Sequence, residues 1–202
     1  NLPAALTSFI GRETELQSLQ IILAGGSVRL VTLTGPGGTG KTRLALEAAH
    51  GLLGHFADGI WLVELAPLAD PALIPQSVAS ALGLHESPGK TFTQTLIDYL
   101  RNRRLLLILD NCEHVVDAAA GLAGTLLQAC QRMQILATSR EILGTMGETP
   151  FRVPSLALPG AAEATLTTLA ECESIRLFVE RARTAQPAFA LTEANAPVIG
   201  RI

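Results

Sequence analysis

Apolar residues fall into two patterns along this chain, and their alternation predicts its elements. In "GRETELQSLQIIL", Leu16, Leu19, Ile22 and Leu23 recur at helical spacing, and Gly25-Gly26 stops the run. A short run follows: "VRLVTLTG" is largely apolar and β-branched, ends on glycine and predicts a buried strand. Lys41 to Leu53 predicts a helix, Gly59 to Leu65 a second strand, and "LADPALIPQSVASALGL" a loop, then a helix closed near Gly83. "TFTQTLIDYL" predicts another helix, and Arg104 to Asp110, "RLLLILD", the most apolar strand of the chain. "VVDAAAGLAGTLLQAC" predicts a helix that Gly121 and Gly124 weaken. "MQILATSR" predicts a fourth strand and "TPFRVPSL" a short fifth.

Strands thus alternate with helices from Val28 to about Val153. Such alternation implies right-handed crossovers and a mostly parallel five-stranded sheet covered on both faces, an α/β three-layer sandwich. "SLALPGAAEATLTTLAE" is rich in proline, glycine and alanine, lacks a clear period and reads as a linker, with a boundary between Pro154 and Thr168. Beyond it, Ile175, Phe178, Val179 and Ala182 share one helix face, the start of a helical domain. The expected organisation is an N-terminal segment and helix over 1–27, the α/β domain over 28–156, a linker over 157–170 and a truncated helical domain over 171–202.

Between the first strand and the next helix stands Gly35-Pro36-Gly37-Gly38-Thr39-Gly40-Lys41-Thr42, followed by Arg43. It fits G-x-x-x-x-G-K-[ST], the phosphate loop of P-loop NTPases. A phosphate chain carries several negative charges, and backbone N–H groups at a helix start are ready donors for it. Glycines let the backbone curl and approach without Cβ atoms in the way. Lys41 is expected to reach the β- and γ-phosphates, and the Thr42 hydroxyl to ligate Mg²⁺. The bland alternative is a glycine-rich turn that caps a helix; the strand before and the helix after favour the phosphate loop. Residues 35 to 43 form the expected nucleotide-contacting set.

Asp110 closes the apolar third strand, where ligands meet a parallel sheet at its carboxyl edge. It matches a Walker B aspartate that holds Mg²⁺. The competing use is as a cap for the following helix. The next residue is Asn111, which has no basic carboxylate to activate a water; Glu113 is the candidate substitute, and any hydrolysis is expected to be slow. The fourth strand ends on Thr138, Ser139 and Arg140, and a cation there stabilises γ-phosphate charge, unless Arg140 is only a surface arginine. Lys41, Asp110, Glu113 and Arg140 are the catalytic candidates; Thr42 and Asp110 are the metal candidates.

Composition narrows the classes. The 202 residues are 48% hydrophobic and 16% charged, enough for a buried core. A net charge of −3 argues against a broad nucleic-acid footprint. Cys112, Cys130 and Cys172 build no disulfide framework and have no second ligand pair at zinc-like spacing, so a reducing cytoplasm is expected. No signal peptide or membrane-length apolar stretch is read, and the start at Asn1 and the stop within a helical pattern suggest a fragment. A GTPase would read guanine through an N-K-x-D element, and neither Lys41 nor Lys90 follows an asparagine.

"FIGRETEL" (Phe9 to Leu16), "LVTLTGPGGTGKTRLALEAA", "LLLILDNCEHV", "ILATSRE" and "ESIRLFVERA" together resemble the signal-transduction ATPases with numerous domains, and among them the NB-ARC-like ATPase module of large bacterial transcriptional regulators. The resemblance spans almost the whole chain. It implies that Ile10 and Arg12 frame the adenine base or its sugar, making residues 1–27 the adenine side of the site. Without the resemblance, Arg12 would read as a surface residue at a helix entrance. The implied function is an ATP/ADP-binding switch with slow Mg²⁺-dependent hydrolysis, serving downstream domains of the same chain. Nucleotide-dependent self-association is left open, and no membrane or direct nucleic-acid partner is expected. The alternatives are a P-loop small-molecule kinase and a related AAA+-like motor. Arg101, Arg103 and Arg104 are the only basic cluster for a kinase lid, and they flank the third strand.

Overall fold

The computed structural model describes residues 1–5, 7–160 and 165–201. Two units emerge from it, Asn1–Ala5 with Thr14–Val153, and Leu6–Glu13 with Pro154–Ile202.

In the first unit the apolar runs become strands: β1 (Leu30–Thr34), β2 (Ile60–Glu64), β3 (Leu106–Asp110), β4 (Gln134–Ser139) and β5 (Glu148–Arg152). They form one sheet in the order β2-β3-β4-β1-β5, every pairing parallel. Burial explains the order. Every residue of β3 and β4 is buried, as a strand covered on both faces must be. The least buried strand, β5, takes one edge and carries Pro150, whose missing N–H an edge tolerates. Alternate residues serve opposite faces. Val63, Leu107, Leu109, Ile135 and Ala137 join one core cluster with side chains of α3 (Ile74–Ala81), α4 (Phe92–Leu100) and α5 (Val116–Ala129). Helix α2 (Lys41–Gly51) lies over β1 and β4 and buries Leu44, Ala45, Ala48 and Ala49. Helix α1 (Glu13–Ala24) buries Leu19 and Leu23. The α/β sandwich with its parallel five-stranded sheet is the expected fold.

Two local expectations are corrected. The helix expected over Lys41 to Leu53 ends at Gly51, and Leu53–His55 tighten into a 3-10 turn. Within the stretch read as a linker, Leu166–Glu171 form helix α6. Its N-cap is Thr165, whose hydroxyl accepts from Thr168 N at 3.2 Å. A cap and one buried anchor, Leu169, suffice for a helix too short to show a period. Residues 161–164 of that stretch lie outside the described residues.

The second unit adds α7 (Glu173–Ala185) and α8 (Ala196–Ile199). Leu169, Ile175, Ala196 and Ile199 form its small core, flanked by Phe178 and Phe189 in a T-shaped contact at 6.0 Å. No helix among the described residues is long and apolar enough to cross a membrane.

Candidate nucleotide-binding site

Because the sheet is parallel, the loops after β1, β3 and β4 open at the same carboxyl edge, and those strands are neighbours. The loop after β1 is shaped by two requirements for glycine. A Cβ on Gly35, at φ +150°, would stand 2.7 Å from the Val153 carbonyl oxygen. That carbonyl is fixed because Val153 N donates to Thr34 O at 2.8 Å beside the edge strand. Gly40, at φ +80°, caps α2 in the left-handed region. Lys41, 8% exposed, donates from Nζ to the carbonyls of Gly35 and Pro36, each at 2.9 Å. Thr39 Oγ1 donates to the same Pro36 carbonyl at 3.0 Å. The ammonium is therefore held inside the curl of its own loop. Lys41, Thr42 and Arg43 open α2, where the amides have no intrahelical acceptor. The Arg43 side chain pairs with Glu47 one turn on, at 3.8 Å.

Asp110 gathers the ends of three elements. Its Oδ1 accepts from Thr42 Oγ1 at 2.7 Å and from Thr138 Oγ1 at 2.6 Å. Asn111 N donates to the same Thr138 hydroxyl at 2.9 Å. Register causes the meeting: Leu109 pairs with Ala137, so the next residues of β3 and β4 stand side by side. Asp110 does not cap α5, which starts at Val116 after Val115 and has no side-chain cap. Asn111 takes the left-handed conformation, φ +65°, and turns the chain into the 3-10 turn Cys112–His114. Asparagine enters that region more readily than most residues.

Glu113, on that turn, pairs through Oε1 with Arg140 Nε at 3.3 Å. Its Oε2 is buried with no hydrogen-bond partner among the described residues. Arg140 extends toward the loop: its Nη2 lies 3.8 Å from where a Cβ on Gly37 would be. Between Asp110 and Glu113, the Cys112 thiol is fully buried. Burial, with smaller contributions from both carboxylates, pushes its pKa up to about 12, so it remains a neutral packing group.

The residues Lys41, Thr42, Asp110, Glu113 and Arg140 thus come together in the first unit. Ile10 and Arg12 belong to the second. Arg12 is buried at φ +61°; its N–H donates to Glu173 Oε1 and its Nη2 to Pro154 O, both at 2.8 Å. A Cβ on Gly11 would stand 2.8 Å from the Glu173 carboxyl group. Arg12 is therefore not the surface arginine of the bland alternative. Ile10 lines a cavity of about 620 Å³ with Phe9, Ile175, Val179 and Leu191. Sequence reasoning placed Thr138 at the neighbouring strand end without pairing it to Asp110, and left out the Arg12 partner Glu173. The polar end of "ATSR" hinted at the first; nothing local marked the second.

The donor set fits Mg²⁺ and a phosphate chain. Thr42 and Asp110 present hard oxygens at one point, and Mg²⁺ takes one or two carboxylates, keeping other positions for phosphate and water.

The AAA domain family matches residues 24–146. An uncharacterized protein of Mycobacterium tuberculosis is 40% identical over 197 residues, 98% of this chain and 47% of the relative. A candidate HTH-type transcriptional regulator of the same organism is 41% identical over 174 residues, 86% of this chain and 18% of the relative. The chain thus spans about half or less of these relatives' length. In fold it resembles the signal transduction ATPase with numerous domains (STAND) protein with a tetratricopeptide repeat sensor from Pyrococcus horikoshii. That likeness has a TM-score of 0.51 at 16% identity and covers 99% of this chain and 28% of that one. With more than half of its length matched, this chain belongs to the AAA domain family.

Proposed function

We propose that this chain is the nucleotide-binding switch module of a larger cytoplasmic regulator, taking ATP or ADP with Mg²⁺ and hydrolysing ATP slowly. The observation that carries the proposal is the Thr42–Asp110–Thr138 cluster beside the glycine loop. It sets a hydroxyl and a carboxylate together at the start of α2, where backbone amides favour anions. Mg²⁺ held by Thr42 and Asp110 would neutralise phosphate charge. Lys41 exchanges loop carbonyls for phosphate oxygens, which are stronger partners for an ammonium. Arg140 stabilises γ-phosphate charge, and Glu113 replaces the carboxylate that Asn111 lacks. Ile10 and Arg12 serve the adenosine end. The relative named for HTH-type transcriptional regulation supports an output through other domains of the whole protein. A switch needs different affinities for its two states, and the γ-phosphate is the difference available here.

Calorimetry with ATP, ADP and GTP, with and without Mg²⁺, tests the proposal. Heat is expected with the adenine nucleotides. No heat from any purine nucleotide on folded protein would refute it. Nucleotide released by denaturing the purified protein and separated by chromatography identifies the resting state.

A further inference from the structure

Arg140 and Glu113 act as one unit. The Arg140 guanidinium holds Glu113 Oε1 through Nε at 3.3 Å, while its Nη2 lies 3.8 Å from the Cβ position of Gly37. One planar group therefore spans the turn after β3 and the phosphate loop. A guanidinium carries five N–H donors in fixed directions, so one edge serves a carboxylate while another faces a second anion. The pair contributes little to folding, because the Arg140 side chain is 68% exposed and such pairs are screened by water. Glu113 is different: its side chain is 19% exposed, and Oε2 is buried without a donor among the described residues. A buried carboxylate oxygen is a strong acceptor, and leaving it unserved is unfavourable.

We infer that Arg140 is a positioning residue: it holds Glu113 by Oε1 so that Oε2 accepts the attacking water, and through Nη2 it couples this arrangement to the γ-phosphate on the loop. The inference rests on the adenine-nucleotide reading. In the step it serves, the water oxygen bonds to the γ-phosphorus. The bridging P–O bond to the β-phosphate breaks, its electron pair leaves with ADP, and the water proton passes to Glu113 Oε2. Only a triphosphate carries the group that Arg140 shares with Glu113, so this coupling separates ATP from ADP.

The test is a double-mutant cycle on the full 202-residue chain: parent, Glu113→Gln, Arg140→Lys and the double variant, each checked for folding by circular dichroism. ATP affinity and single-turnover hydrolysis are measured separately with Mg²⁺. Arg140→Lys keeps the charge and loses the two-sided fork. Each single variant is expected to lower the single-turnover rate by at least about tenfold, against the roughly 10²–10⁴-fold that a positioned general base supplies. The double variant should lose clearly less than the product of the two single losses, because the part of Arg140 that acts through Glu113 is already gone in Glu113→Gln. ADP affinity should be unchanged in Arg140→Lys. Multiplying losses in the double variant, or an unaltered rate in Arg140→Lys, would overturn the inference. ATP binding without measurable turnover in the parent also overturns it and leaves the nucleotide reading standing. Absence of ATP binding in the parent removes both.

Discussion

Thr42 and Asp110 are 68 positions apart in the chain, and their side-chain oxygens meet at 2.7 Å. That contact joins the start of α2 to the end of β3, and it puts both expected metal ligands at one point. Asp110→Ala should therefore weaken Mg²⁺-dependent ATP binding and hydrolysis together. It also removes the acceptor of Thr42 and Thr138, which should lower stability by roughly 1–3 kcal/mol. ATP titrations at several Mg²⁺ concentrations check the first effect, and a urea melt the second. Undiminished Mg²⁺ dependence would contradict the role given to Asp110.

Lys41→Ala should abolish nucleotide binding detectable by calorimetry. The loss of two neutral-acceptor hydrogen bonds to Gly35 O and Pro36 O should lower stability by only about 1–3 kcal/mol. A folded variant that still binds ATP tightly would refute the placement of the phosphates.

Gly35→Ala places a methyl group 2.7 Å from Val153 O at φ +150°, so backbone must move. Loss of roughly 2–4 kcal/mol is expected, combining strain and overlap. Gly38→Ala meets nothing within 4 Å, and its φ of +78° leaves backbone strain alone, roughly 1–2 kcal/mol. Denaturant midpoints of the two variants should fall in that order; equal midpoints would mean that the Val153 carbonyl yields freely.

The Cys112 thiol has a pKa raised from 9.0 to about 12 in the folded chain. In the unfolded chain it loses its proton first, so stability is full below pH 9 and declines as pH rises toward 12. The slope in that window is about 1.4 kcal/mol per pH unit. Cys112→Ala lacks this contribution. Its stability and the parent's should converge by about 1.4 kcal/mol between roughly pH 8 and roughly pH 10. A constant gap in urea melts would show that the thiol is not shifted.

Adenine should be preferred to guanine if Ile10 and Arg12 serve the base and sugar. Competition between ATP and GTP, repeated on Arg12→Ala, checks this. Because Arg12 donates to Pro154 O and its backbone to Glu173, the variant's melting curve must be recorded alongside. Equal affinity for both bases in the parent would remove the assignment.

The chain itself determined the sheet and the phosphate loop. Leu105 to Leu109 is an unbroken apolar run that only burial on both faces can accommodate, and the loop's glycines permit a curl that other residues strain against. These are properties of neighbouring residues, so they are legible along the sequence. Helix α6 escaped because its stability comes from one cap and from Leu169 packing with Ile175, not from a repeating pattern. Partner choice was decided only by the tertiary structure. Asp110 had two local uses open to it, and the pairing of β3 with β4 settled that it faces Thr138 and Thr42 and does not cap α5. Glu113 with Arg140, and Arg12 with Glu173, are likewise set by strand order and by helix placement. Local sequence carries propensity and spacing; which distant side chain completes a hydrogen bond is fixed by register and packing, and those exist only once the chain has closed on itself.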